Sequence, residues 1–345
     1  MNGKHISPGG ETNGRNEVTR NEITRKQITV DVRNLKVHYP ITSGLTQKVV
    51  GRVRAVDGIT FLIERGHTMA LVGESGCGKS TTGRAVLRLT PKTSGDVIFN
   101  GTEIYSLSKK ELMRLRPKAQ IIFQDPYSSL SPRMPISEII GEAVREHNIV
   151  PPDEYEDYLD QVMESCGLRS FHKRRYPHEF SGGQRQRVCI ARAIALKPDF
   201  IVCDEPVSAL DVSIQAQIIN LLMDLRDEKQ LTYLFISHDL SVVELISNKV
   251  AVMYLGDIVE YAPTEEIFAH PLHPYTTALF SAIPLPDPEV KTNRIILSGS
   301  LPSPANPPHG CKFHTRCPNA QIKCAEIAPE LREAAPGHLV SCLRV

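Results

Sequence analysis

The segment Gly73-Glu-Ser-Gly-Cys-Gly-Lys79-Ser80-Thr81 constrains this chain more than any other stretch. An apolar run, Met69 to Val72, leads into it and a helical pattern from Lys79 to Leu89 follows, so the order is strand, glycine-rich turn, helix. The spacing G-x-x-x-x-G-K-[ST] suits one task. Gly73, Gly76 and Gly78 let backbone N–H groups curl round phosphate oxygens, Lys79 brings a point positive charge, and Ser80 offers an oxygen to Mg²⁺. Ser75, Cys77 and Thr81 complete the cradle, and the following helix turns its positive end on the same anion. Because Cys77 stands two residues from Lys79, its thiolate is expected to be favoured and a phosphate-bearing ligand to shield it from alkylation.

A chain of 345 residues exceeds one typical domain of about 150 and can bury a substantial core. Its 40 basic and 39 acidic residues give a net charge of +1, so no global field draws it to nucleic acid or anionic lipid. No run of 18 apolar residues occurs, and the first 27 residues lack the apolar core of a secretory signal. Residues 1–27 read as a disordered leader and the chain as cytosolic. From Ile28, ITVDVRNLKVHY and VRAVDGITFLI alternate apolar and polar side chains, predicting antiparallel strands. Phe200 to Cys203 and Leu231 to Ile236 read as further buried strands of a parallel sheet. Between about 125 and 195 helical periodicity replaces the strand signal, which predicts an inserted helical subdomain. After Ala262 prolines become frequent, and a small irregular domain is expected over 263–345. No internal repeat or coiled-coil heptad is present.

The strand Phe200-Ile-Val-Cys-Asp204-Glu205 ends in two acids, suited to hold Mg²⁺ through water (Asp204) and to polarise an attacking water (Glu205). Upstream, Phe180-Ser181-Gly182-Gly183-Gln184 opens the helical pattern RQRVCIARAIAL and makes a second anion cradle. Together these residues resemble the ATP-binding cassette (ABC) family, whose signature LSGGQ carries leucine where this chain has Phe180. The resemblance spans residues 28–262 and implies an α/β fold: a P-loop NTPase (RecA-like) core with an antiparallel β subdomain, an inserted helical subdomain and a small irregular C-terminal domain. By the same resemblance Gln124 senses Mg²⁺ and the attacking water, and Asp211 in Ser-Ala-Leu-Asp lies on the loop that crosses between paired cassettes. His238 is the switch histidine at the γ-phosphate, and Tyr39 stacks on adenine, with ordinary strand packing as the alternative for Tyr39. One cassette per chain implies pairing, the partner's counterpart of Ser181 closing the pocket over ATP.

The C-terminal third narrows the resemblance. His270-Pro-Leu-His-Pro274-Tyr-Thr-Thr-Ala-Leu and the cysteine-bearing tail resemble the ATPase subunits of dipeptide and oligopeptide importers, as do Ala55-Val-Asp-Gly58 and Phe123-Gln-Asp-Pro-Tyr-Ser-Ser-Leu-Ser-Pro-Arg133. The resemblance implies an ATPase on the cytoplasmic face of the membrane, peripheral, paired with a paralogous ATPase in a heterodimer. Two membrane permease subunits and an extracytoplasmic solute-binding protein complete the assembly, and nucleic acid has no part in it. The Ser-Pro-Arg-Met stretch points to the second of the two ATPase types. A nickel, glutathione or other small-solute importer, and a soluble non-transport cassette ATPase, stand as alternatives. Eight cysteines in a reducing compartment argue against a disulfide framework. Cys311, Cys317, Cys324 and Cys342 crowd the tail without the C-x₂₋₄-C knuckles usual for zinc. In the importer family these positions resemble ligands of a [4Fe–4S] cluster; zinc and plain reduced thiols stand as alternatives. His309, His314 and His338 are either substitute ligands or exposed loop histidines, His172-Lys-Arg-Arg175 a solvated helix end, and Cys189 and Cys203 core residues.

Overall fold

The computed structural model describes residues 27–44, 48–283 and 294–345, so the expected leader lies outside the described residues except for Gln27. Two long strands, β1 (Ile28–Ser43) and β2 (Lys48–Glu64), pair antiparallel and carry the alternating pattern read from the sequence. β3 (Thr68–Val72) leads through the glycine loop into α1 (Lys79–Val86). β4 (Ser94–Phe99) and β5 (Thr102–Glu103) complete a four-stranded sheet in the order β2-β1-β4-β5. α2 (Lys109–Leu115) then precedes β6 (Ala119–Ile122).

The helical region comprises α3 (Pro126–Ser129), α4 (Ile136–Glu146), α5 (Tyr155–Ser165) and α6 (Gly182–Ile194). In α4 the apolar residues Ile136, Ile139, Ile140 and Val144 recur at helical spacing and are all buried, against α6 among others. The chain returns to the core with β7 (Phe200–Asp204), α7 (Val212–Lys229), β8 (Thr232–Ile236), α8 (Leu240–Ile246), β9 (Lys249–Tyr254) and β10 (Asp257–Pro263). The tail adds α9 (Thr264–Ala269), α10 (Pro274–Phe280), α11 (Ile322–Glu326), β11 (Arg332–Ala335) and β12 (His338–Val340).

The larger sheet runs β11-β12-β10-β9-β3-β8-β7-β6, parallel from β9 to β6. Its central strands β3, β7 and β8 are buried along their whole length, and mainly apolar, because both faces are covered. Met69, Leu71, Phe200, Val202, Leu234 and Ile236 point into the core under the smaller sheet, while their alternates Ala70, Val72, Ile201, Cys203, Tyr233 and Phe235 point into the core shared with the helices. Leu71 is fully buried, and truncating it to alanine costs on the order of 3 kcal/mol by cavity formation. α1 lies close on the sheet because Gly83 permits it: a Cβ there would stand 2.8 Å from Val202 and 2.9 Å from Ile236.

Part of the tail expected to be irregular is built into the main sheet. The tail is poor in regular structure, yet β12 pairs with β10 and β11 with β12, so the last residues extend the main sheet. His338, far from being a loop histidine, is fully buried, with its Nε2 2.7 Å from the equally buried carboxylate of Glu260. Glu260 also accepts from the backbone N–H groups of Leu272 and His273. A buried carboxylate needs such partners, and two separated stretches of chain supply them. His172 likewise departs from expectation: it is buried in a 3₁₀ turn, its Nδ1 accepting from the Arg169 N–H and its ring lying against Phe180.

Candidate nucleotide site

The parallel strands end on one side of the sheet, and the candidate residues leave from those ends, the place where open α/β sheets hold ligands. β3 delivers the glycine loop, β6 leads to Gln124, β7 ends on Asp204 and Glu205, and β8 leads to His238. Lys79, Ser80, Gln124, Glu205 and His238 line a single cavity of about 490 Å³ with Ser75, Gly76, Gly78 and Thr81. At Gly78 the backbone is left-handed, with φ 113°, and a Cβ would fall 2.1 Å from the Ala55 carbonyl oxygen. Glycine is therefore required there to bring the loop against β2 and start α1.

The polar groups are held before any ligand arrives. The buried Lys79 ammonium donates to the Gly73 carbonyl at 2.7 Å and to the Glu74 carbonyl at 3.1 Å, which fixes the cation at the cavity floor. Ser80 Oγ donates to Asp204 Oδ1 at 2.7 Å. Burial pushes the Asp204 carboxyl above the ordinary carboxylate range, against the lowering effect of the Ser80 hydroxyl. A cation beside it would favour the ionised form, and this hydroxyl–carboxylate pair is the hard oxygen donor set that Mg²⁺ takes. Gln124 Nε2 donates to Glu205 Oε2 at 2.8 Å, and His238 Nδ1 lies 3.2 Å from the same oxygen. Glu205 has a left-handed backbone, φ 47°, at a cost on the order of 1 kcal/mol, and its N–H is tied to the Ile236 carbonyl at 3.0 Å.

Cys77 departs from expectation. Its side chain is buried rather than presented to solvent, and burial raises its thiol above the usual value, outweighing the Lys79 charge that favours the thiolate. Cys189 and Cys203 are buried core residues. Tyr39 lies on β1 opposite Val53, and Val53 rather than Tyr39 lines the cavity.

Ser181, Gly182, Gly183 and Gln184 do not line this cavity. Ser181 caps α6: its hydroxyl accepts from the Gln184 N–H, and the Gln184 side chain accepts from the Ser181 N–H. Ser181 and Gly182 are exposed, as are Ser208, Asp211 and Val212, which is 81% exposed, at the start of α7. These groups form an outward-facing corner apart from the Lys79 floor.

The four tail cysteines line one small pocket of about 20 Å³. Among the described residues, however, no group of three or more His, Cys, Asp or Glu side chains is set out as a metal site, so the structure gives the [4Fe–4S] expectation no support. His309 and His314 bond backbone carbonyls, of Ala325 and Cys311 respectively.

The sequence did not single out Glu74, Tyr275, Pro304 or Arg316 as site residues. Pro304 lines the cavity and its carbonyl accepts from the Arg54 N–H, while Tyr275 and Arg316 grip the glycine loop from behind. Among the described residues no helix is long and apolar enough to cross a membrane.

Residues 56–208 match the ABC transporter family, and residues 259–324 match the family described as oligopeptide/dipeptide transporter, C-terminal region. The chain is 52% identical to the oligopeptide transport ATP-binding protein AppF of Bacillus subtilis over 91% of its own length and 96% of the relative's. It is 53% identical to a putative peptide import ATP-binding protein of Brucella ovis over 91% of its length and 97% of that protein's. Among solved structures, cbiO1 from Clostridium perfringens, part of the ABC transporter complex cbiONQ, superposes with a TM-score of 0.61 at 28% identity, covering 71% of this chain and 92% of that one. The strand-end cavity, the capped Ser181 corner and these relatives lead to one assignment: the chain belongs to the ABC transporter family, as an ATPase of its oligopeptide-transport branch.

Proposed function

We propose that this chain hydrolyses ATP to power import of di- or oligopeptides through separate membrane permease subunits. The observation that carries the chemistry is the convergence of Lys79, Ser80, Gln124, Glu205 and His238 on one cavity at the strand ends. Lys79 neutralises charge on the phosphates, and the loop N–H groups orient them. Mg²⁺, held by Ser80, Gln124 and, through water, Asp204, would supply charge neutralisation at the transferring phosphoryl group. Glu205 accepts the proton of the attacking water, while Gln124 and His238 fix its carboxylate and aim it. Tyr39, on β1 opposite the cavity-lining Val53, is assigned to the adenine end.

The exposed Ser181 corner suits a second protomer: its capped helix start offers N–H donors and a positive helix end to a phosphate bound elsewhere. Two chains facing each other, with Asp211 at the crossing loop, would clasp ATP between Lys79 of one and the Ser181-equivalent of the other. We read the second chain as a paralogous ATPase, with a solute-binding protein feeding the permeases and a peripheral position on the cytoplasmic face; the peptide-transport names of the relatives support the importer on which this reading rests. In the tail, Cys311, Cys317, Cys324 and Cys342 are read as ligands of a [4Fe–4S] cluster on the strength of the family resemblance alone. Iron and acid-labile sulfide at about four each per chain in anaerobically purified protein are expected; zinc, or neither, ends that reading.

The test of the ATPase assignment is Glu205→Gln in the assembled transporter. Turnover should fall about 10³-fold, as expected for loss of a general base, while ATP binding persists. Normal turnover in that variant removes Glu205 from its role.

A further inference from the structure

We infer that Arg316 and Tyr275, both beyond the cassette core, are positioning residues for the phosphate loop, acting on Glu74 from behind the nucleotide cavity. The inference rests on reading Gly73 to Lys79 as the loop that holds the triphosphate. Glu74 is the one loop residue gripped from the tail by both its backbone and its side chain. Its N–H donates to the Tyr275 hydroxyl at 2.8 Å. Its carboxylate takes both terminal nitrogens of Arg316, Nη1 to Oε2 at 2.8 Å and Nη2 to Oε1 at 3.0 Å. A bidentate fork of this kind fixes orientation as well as distance.

The surroundings show that the contact is built in. The Arg316 side chain is 8% exposed and Glu74 29%. Among the described residues the buried Arg316 Nε has no partner, and Glu74 is the anion paired with this guanidinium. Tyr254, Tyr275 and Phe313 are fully or almost fully buried and packed ring against ring, with centroids 4.8 to 5.4 Å apart. The guanidinium lies 5.9 Å from the Tyr254 ring centroid. Phe313 and Arg316 both belong to the short segment between Cys311 and Cys317, so the cysteine pocket and the phosphate loop share one rigid link. The Glu74 carbonyl also accepts from Lys79. Turning the Glu74 peptide therefore displaces the lysine ammonium directly, and a misplacement of about 1 Å in a preorganised site is worth on the order of 100-fold.

The consequence is specific to nucleotide. In the assembled transporter, Tyr275→Phe, Glu74→Gln and Arg316→Met are each expected to raise KM for ATP about tenfold, with the Glu74→Gln/Arg316→Met double variant no worse than the worse single one. Lys312→Met is the counter-variant, because Lys312 ties the same tail segment to Asp57 and Asp257, away from the loop. It should lower Tm without moving KM. An unchanged KM in both Tyr275→Phe and Glu74→Gln, additive effects in the double variant, or an equal KM rise in Lys312→Met overturns the proposal. Tyr275→Phe and Glu74→Gln are near-isosteric and keep the test meaningful if Arg316→Met fails to fold. Lys79→Ala separates the two levels: if it leaves ATP binding intact, the reading of the loop itself fails, whereas lost binding there with unchanged KM in the tail variants sinks the tail inference alone.

Discussion

The Lys79 cavity and the Ser181 corner use the same physical device, a helix start presenting N–H groups, yet they are finished to different degrees. Around Lys79 four strand ends bring a cation, a hydroxyl, two carboxylates, an amide and an imidazole to one space. Around Ser181 there is a capping box, two glycines and solvent. One is a complete binding floor within a single chain; the other is a surface that gains meaning only against something else. On the proposed two-chain clasp, the difference separates affinity from turnover: binding resides in one protomer and hydrolysis draws on two.

That separation can be broken most decisively by comparing Lys79→Ala with Ser181→Arg. Lys79→Ala should weaken ATP binding by the isolated chain about 100-fold, measured by calorimetry, as expected for loss of a buried charge contact to phosphate. Ser181→Arg should leave that affinity within about twofold and lower turnover of the assembled transporter about 100-fold, the scale of a lost transition-state donor. If Ser181→Arg damages affinity in the isolated chain, the two regions are not independent.

A second, smaller effect concerns the wall behind the cavity. His273 is buried, burial lowers it to about 4, and its Nδ1 accepts from the Tyr275 N–H, which requires the neutral ring. In the unfolded chain it titrates near 6.5. Its contribution to stability is therefore complete above about pH 6.5 and is lost as pH falls toward 4, with a slope of at most about 1.4 kcal/mol per pH unit. His273→Asn keeps an acceptor for that N–H and should flatten the fall of Tm over this range; an identical slope excludes His273 as its source. The smallest effect is expected at Tyr39, which is 41% exposed: Tyr39→Ala should raise KM for ATP about threefold, a value typical of partly exposed stacking. No change would return Tyr39 to ordinary strand packing.

What was legible from the sequence was what is contiguous. Gly73 to Thr81, Ser181 to Gln184 and Phe200 to Glu205 each hold their chemistry within a few residues, and the apolar runs fix which strands are covered on both faces. Contacts across long separations left no such trace: Glu74 and Arg316 are 242 residues apart, and neither belongs to a pattern that names the other. The pairing of β12 with β10 was hidden for a related reason, because three residues of strand pattern inside a proline-rich tail carry no signal of the partner. At Cys77 the neighbouring lysine was visible and the surrounding burial was not, so the sign of the thiol's shift was misread.

The meeting of Glu260 with His338 and the N–H groups of Leu272 and His273 has a practical outcome. A shortened variant ending at Pro336 would strip one donor from a carboxylate that has no access to water and expose the flank of β10. Appending residues after Val345 leaves that arrangement untouched, so an affinity handle fused there should be harmless where a deletion of nine residues is not.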